Sequence, residues 1–226
     1  MGKEKFIITI DGTAGSGKST LAKSLSKIYN LKYLPTGIYY RKLAKILLDQ
    51  DRVFSLSQSD LIKDLMIKIE HVSTLDLSDK SLYSDEVSKT ASDIAKIDYI
   101  RDYFNSLQKK FIDENRNIIL EGRDTGSIVA PNADIKIFLT ADPKIRAMRR
   151  ALEQNAKDID LLKANIEKRD QEDSKRKISP LVIPKGSIEI DSSHLNIEEL
   201  IIIVSNLIDR HISIRANFIF NQTYKV

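Results

Sequence analysis

One eight-residue run constrains this chain more than any other. Gly12-Thr13-Ala14-Gly15-Ser16-Gly17-Lys18-Ser19 fits the spacing G-x-x-x-x-G-K-[ST], and Thr20 follows it. Glycines let the backbone curl until successive N–H groups point inward at phosphate oxygens. A helix beginning near Lys18 adds its positive N-terminal end. The lysine is expected to reach the β- and γ-phosphates of ATP, and the Ser19 hydroxyl to ligate Mg²⁺ carried with the triphosphate. Residues 12–20 are therefore the expected ATP-binding set. A match of this kind arises by accident in roughly one in a hundred chains of such length. Here it also lies between an apolar stretch at 6–10 and an amphipathic stretch at 18–29, where the mechanism needs a strand and a helix. The run identifies a phosphate donor and leaves the acceptor open.

The remaining pattern alternates. Short strands are predicted at 31–34, 118–120, 135–139 and 187–191, with helices at 39–48, 99–112, 143–155, 158–177 and 198–215. The stretch from 56 to 95 is less regular, with a helix predicted near 59–64 and strand-like material near 66–72. Strands spaced by helices imply an α/β fold with a parallel sheet covered on both faces and a ligand at the carboxyl ends of the strands.

Arginines supply the next signal. Arg41 falls in the first turns of a predicted helix, a poor place for a cation unless an anion is near. Arg123 and Asp124 directly follow a strand, at the ligand end of the sheet. Arg146, Arg149 and Arg150 are spaced i, i+3, i+4, and Arg169, Asp173 and Arg176 i, i+4, i+7, so each set shares a helix face. Phosphoryl transfer spreads negative charge over equatorial oxygens and needs several fixed cations. Two arginine-bearing helices joined by a short segment at 153–160 read as a lid that supplies them on closure.

With these residues in place, the chain resembles the bacterial-type cytidylate kinases among the nucleoside monophosphate kinases. The likeness runs from about residue 7 to 207. It rests on Ile10-Asp11-Gly12, Thr36-Gly37 with Tyr40-Arg41, Thr90-Ala91-Ser92 followed by Arg101, Glu121-Gly122-Arg123-Asp124-Thr125-Gly126, Arg149-Arg150, and Arg169-Asp170 with Asp173 and Arg176 before Pro180-Leu181. The resemblance implies a five-stranded parallel P-loop core (1–55, 96–142 and 178–217), a monophosphate-binding insert at about 56–95, a helical lid at about 143–177 and a tail at 218–226. It implies transfer of the γ-phosphate of ATP to CMP or dCMP with Mg²⁺. Another nucleotide or small-molecule acceptor, such as UMP or AMP, is the alternative. Thr36, Arg41 and Arg123 are then expected around the acceptor phosphate, and Ser92, Arg101 and Asp124 around the cytosine. Arg169 and Asp173 are expected at the ribose with Arg176 beside them, and Arg146 and Arg150 are expected to approach the transferred phosphoryl. Lys18, Arg123, Arg146 and Arg150 form the expected catalytic set. Departures from the family pattern are Pro35 in place of an acidic residue, a shortened stretch at 65–95, a lid turn without glycine, and the tail.

Composition narrows the remaining classes. The 226 residues carry a net charge of +4 and no cysteine, which removes disulfides, thiolate nucleophiles and zinc–cysteine sites. The three histidines, His71, His194 and His211, are scattered. Lysine and arginine form no block of five or six, so a pI near 9.0 does not by itself argue for nucleic acid, and none is expected as a partner. No apolar run approaches the ~18–20 residues that span a bilayer. A cytoplasmic monomer without membrane contact is expected.

Overall fold

A computed structural model describes residues 5–50, 59–70, 77, 79–154 and 156–223. Five strands form one sheet: β1 (Phe6–Gly12), β2 (Lys32–Pro35), β3 (Asn117–Gly122), β4 (Ile135–Thr140) and β5 (Ile188–Asp191). Their order is β2-β3-β1-β4-β5, with every pairing parallel. Central strands of such a sheet are covered on both faces and read as continuous apolar runs. Ile8, Ile10, Ile118, Ile119, Leu120, Ile137 and Leu139 accordingly bury on one side or the other of it.

Eight helices of the described residues surround the sheet. They are α1 (Lys18–Ile28), α2 (Ile38–Asp49), α3 (Ser59–Glu70), α4 (Asp85–Ile94), α5 (Asp98–Glu114), α6 (Pro143–Gln154), α7 (Ile159–Ser174) and α8 (Ile197–Thr223). One core packs α2 through α5 against β2 and β3 around the buried Phe104, on which Tyr39 stacks and Tyr40 stands edge-on. The other packs α1 and α8 across β1, β4 and β5, through Leu21, Leu25, Leu200, Val204 and Ile208. A small third cluster of Ala14, Ala147 and Ile166 seats the lid helices under the glycine loop.

Most predicted elements stand where expected, and the insert differs. The single helix α3 replaces the predicted short helix and following strand, because Ile62, Leu65, Met66 and Ile69 repeat at i, i+3, i+4, i+7 and all bury on one face. The strand-like stretch at 71 and 72 lies outside the described residues. Helix α4 was not predicted. It starts at Ser84, whose hydroxyl accepts from Val87 N–H at 3.3 Å, and has Asp85 and Glu86 in its first turn. Among the described residues the insert contains no strand. Helix α8 continues through the first residues expected as tail, to Thr223, and His71 and 224–226 lie outside the described residues.

Candidate active site

The strands deliver their carboxyl ends to a cleft of about 770 Å³ lined by the glycine loop and by residues of α4, α6 and α7. Gly12 closes β1 at a φ of 147°, and a Cβ there would drive into the carbonyl oxygen of Leu139 on β4. Only glycine lets the two strands meet at that point. Thr13 N–H still belongs to the sheet, donating to Leu139 O at 3.3 Å. The loop then turns at Gly15 and Gly17, and Ala14 through Thr20 line the cleft. Lys18 folds back along the loop, its Nζ donating to Thr13 O at 2.5 Å and to Ser16 Oγ at 3.4 Å. Burial lowers its pKa to about 7, and neighbouring Arg123 adds to the effect. An ammonium depressed in this way lacks its counter-charge, and a polyphosphate restores it.

Beside it, Ser19 Oγ donates to Glu121 Oε1 at 2.9 Å. A hydroxyl and a carboxylate together at the loop are hard oxygen donors of the type that hold Mg²⁺ jointly with nucleotide phosphates. These residues therefore fit the metal that the glycine loop implies.

Opposite the loop stands a cationic cluster. Arg123, at the end of β3, donates through Nε to Asp173 Oδ2 at 2.9 Å, and Arg176 pairs with the other oxygen of the same carboxylate. Burial would raise the pKa of Asp173, but Arg123, Arg176 and Arg169 outweigh it and hold the group below the usual carboxylate range. Arg169 has no such partner at Nε, which is buried without a hydrogen bond, and burial with Arg123 close by lowers its pKa to about 9. Nε of Arg176 is likewise buried and unpaired. Arg41 reaches in from α2, held by Leu82 O and Ser88 Oγ at 2.8 Å each and lying 5.1 Å over the Tyr83 ring. Even with Asp173 and Glu121 beside them, four guanidinium groups leave a local excess of positive charge, as an anion site requires.

Deeper in the cleft, Arg101 donates to Ala95 O through Nε and Nη2 at 2.9 and 2.7 Å, and through Nη1 to Asp124 Oδ2 at 3.3 Å. Both side chains are nearly sealed from solvent, and Ser92 lines the same corner. Thr36 Oγ1 donates to Glu121 O at 3.0 Å and lies against Gly122, where a Cβ would strike it.

The cleft thus gathers most of the expected site residues. Gly12, Thr13 and Arg146 are outside its lining. For Gly12 and Thr13 the reason is their role in the sheet. Arg146 was expected to extend from the lid, but its buried guanidinium points under the glycine loop instead. Nε donates to Ala141 O at 2.8 Å, and Nη1 donates to Ala14 O at 2.9 Å and to Asp170 Oδ2 at 2.5 Å. Arg150 lines the cleft and reaches Asp85 of the insert at 3.1 Å, while Lys96 meets Glu172 at 3.1 Å. Ion pairs therefore tie α6 to Asp85 on α4, and α7 to Lys96 just beyond that helix. Asp170, Glu121 and Gln108 were missed by sequence reasoning. The Arg-Asp pair at 169–170 and the glutamate beside Arg123 gave a signal for the first two, and Gln108 had none beyond its place on the buried face of α5.

A nucleotide-triphosphate loop facing a fixed guanidinium cluster across one cleft, on this sheet order, defines a P-loop phosphotransferase. The same fold is seen in a gluconokinase from Sinorhizobium meliloti, with a TM-score of 0.52 and 11% identity over 97% of this chain and 99% of that one. A sequence profile described as cytidylate kinase matches residues 8–210. The cytidylate kinase of Chlamydia caviae is 39% identical over 206 residues, covering 87% of this chain and 94% of the relative. That of Fusobacterium nucleatum is 36% identical over 222 residues, covering 92% and 99%. The chain belongs to the cytidylate kinase family.

Proposed function

We propose that this enzyme transfers the γ-phosphate of ATP to CMP or dCMP, giving ADP and CDP or dCDP. The observation that carries the assignment is the pairing of the glycine loop with a separate anion site, Arg41, Arg123, Arg169 and Arg176, whose far corner holds the Arg101–Asp124 pair. Family membership favours cytidine nucleotides over UMP or AMP as the acceptor.

Donor phosphates lie along the N–H groups of residues 15–20, with Lys18 against the β- and γ-phosphates. Ser19, with Glu121 beside it, holds Mg²⁺, which neutralises charge on the donor phosphates when bound. Thr36, Arg41 and Arg123 hold the acceptor phosphate, and Arg169, Asp173 and Arg176 meet the ribose. Arg150 approaches the transferred group from the lid. No side chain need remove a proton, because the attacking phosphate oxygen is already ionised, so positioning and charge neutralisation suffice.

Selection of the base follows from hydrogen-bond polarity. Cytosine presents an N4 amino donor and the N3 and O2 acceptors. Asp124 accepts from the amino group, and Arg101 and Ser92 donate to N3 and O2. Uracil reverses polarity at two of these atoms and leaves the carboxylate facing a carbonyl oxygen, which a buried site penalises strongly. One chain supplies every group named here, which supports a monomer, and free nucleotide substrates support a cytoplasmic setting.

The test is ADP release measured with CMP, dCMP, UMP, AMP and GMP side by side under saturating MgATP. The proposal expects kcat/KM for CMP or dCMP to exceed the purine monophosphates by at least ~10³-fold. Equal turnover of AMP would overturn it.

A further inference from the structure

Eight buried side-chain polar atoms among the described residues lack a hydrogen-bond partner, and four belong to residues of this one cleft: Tyr40, Gln108, Arg169 and Arg176. The two arginines belong to the anion site. Gln108 has no such explanation. It lies on α5 two turns beyond Arg101, on the same buried face, and is 98% buried, with Oε1 unpaired. A buried amide oxygen left unpaired is destabilising, so natural proteins retain one where something else satisfies it. Tyr40, which lines the same cleft and whose ring lies 5.5 Å from the Arg101 guanidinium, also has an unpaired hydroxyl. The lining that Gln108 and Tyr40 share with Arg101 and Asp124 is therefore polar and incompletely satisfied.

A count of donors and acceptors shows what is missing. A cytosine edge brings two N4 hydrogens, N3 and O2. Arg101 uses three of its five N–H groups on Ala95 O and Asp124, leaving two for N3 and O2, and Ser92 can add another donor. On the acceptor side, Asp124 Oδ2 already accepts from Arg101, and because the two N4 hydrogens diverge from their nitrogen a single carboxylate meets only one of them in good geometry. The second N4 hydrogen, pointing away from the carboxylate, calls for a further acceptor.

We propose that Gln108 is a further specificity-determining residue of the acceptor site, its amide oxygen accepting the second N4 hydrogen of the cytosine, directly or across one water. This rests on the base-pocket assignment made above. The terminal torsion of glutamine is soft, so the amide can swing toward the base without backbone movement. The unpaired oxygen then weakens the free protein slightly and is satisfied when the nucleotide enters.

The experiment compares CMP with the monophosphate of the 4-deamino analogue, pyrimidin-2-one riboside, which lacks N4. Both are assayed in wild type, Gln108→Met and Asp124→Asn, with thermal melts of each protein. The wild type should prefer CMP, and Gln108→Met should compress that preference by about 5- to 20-fold. The KM for ATP should stay within twofold and the melting temperature should be unchanged or higher, since an orphaned acceptor has been removed. Preference within twofold of wild type in Gln108→Met, but collapsed in Asp124→Asn, would overturn the role of Gln108 and leave the pocket assignment standing. Preference unchanged in both variants would overturn both. A lowered melting temperature with equal losses for the two nucleotides would assign the amide to the scaffold. Gln108→Leu serves if the methionine variant does not fold, and failure of both would also reject the proposal.

Discussion

Asp170 Oδ2 lies 2.5 Å from Nη1 of Arg146, and the other carboxylate oxygen accepts the N–H of Ala14 at 2.9 Å. The same guanidinium group also holds Ala14 O, so both backbone polar groups of one loop residue are tied to the two lid helices. The glycine loop is braced from below by this pair.

Arg146→Met should consequently act on stability and on ATP before it acts on chemistry. Breaking a buried ion pair on one side typically costs ~3 kcal/mol or more. In a domain of this size that lowers the melting temperature by roughly 6–12 °C. The KM for ATP should rise while the KM for CMP stays within about twofold. Differential scanning fluorimetry and steady-state kinetics decide the matter. An unchanged melting temperature with kcat down 100-fold would instead put Arg146 on the transferred phosphoryl.

Lys18 provides a pH signature. Its pKa is lowered to about 7 in the free protein by burial and by Arg123, and bound phosphates raise it. At pH 6 the group is protonated before and after ATP binds, so binding takes up no proton. At pH 8 it is largely neutral beforehand, so binding takes up nearly one proton, and affinity weakens by up to tenfold per pH unit above 7. Calorimetry in two buffers of different ionisation enthalpy measures the uptake directly. Lys18→Met should abolish it and cost ~10²–10³ in kcat. Uptake that persists in the variant would assign the proton to another group.

Arg41→Met and Arg123→Met should each weaken CMP much more than ATP, because a charge-assisted hydrogen bond to the acceptor phosphate contributes ~1.5–3 kcal/mol. That is roughly 10- to 150-fold in kcat/KM for CMP. Separate titrations of each nucleotide in a direct binding assay check the split. Equal losses for the two ligands would place these arginines on the donor side.

Asp124→Asn keeps shape and turns an amide donor toward the base. The expected loss for CMP is ~2–4 kcal/mol, while UMP, whose O4 can accept from the new amide, loses little or gains. The ratio of kcat/KM for CMP over UMP is the quantity to follow. A ratio within threefold of wild type would leave Asp124 only its contact with Arg101.

The parts of this architecture legible from sequence were those whose cause is local. The glycine loop was readable because turn, charge and flanking periodicity coincide between residues 6 and 29. The arginine at the end of β3 was readable because strand ends carry ligands in parallel sheets. Helix α3 was half misread: Ile67 and Ile69 have branched side chains that suit a strand, while the deciding signal was the spacing of Ile62, Leu65, Met66 and Ile69. Helix α4 had its start written in Ser84, Asp85 and Glu86, a cap followed by acidic residues. The inward turn of Arg146 had no local sign. Spacing placed it on a face with Arg149 and Arg150, but which neighbour each would meet depended on how α6 packs beneath a loop more than a hundred residues earlier.

The residue just before the glycine loop has a second attachment. Asp11 is fully buried and accepts from Thr125 N and Oγ1 and from Gly126 N at 2.8, 2.7 and 2.6 Å. It thereby clamps the turn that carries Arg123 and Asp124 to the strand that carries Gly12. Under the proposed assignment, the seats of the two phosphates to be joined are thus measured off one piece of backbone, a common ruler with a mark at either edge. Under that assignment closure has to exclude water and bring Arg150 up to the transferred group, while the spacing of the two phosphate seats is held by the Asp11 clamp.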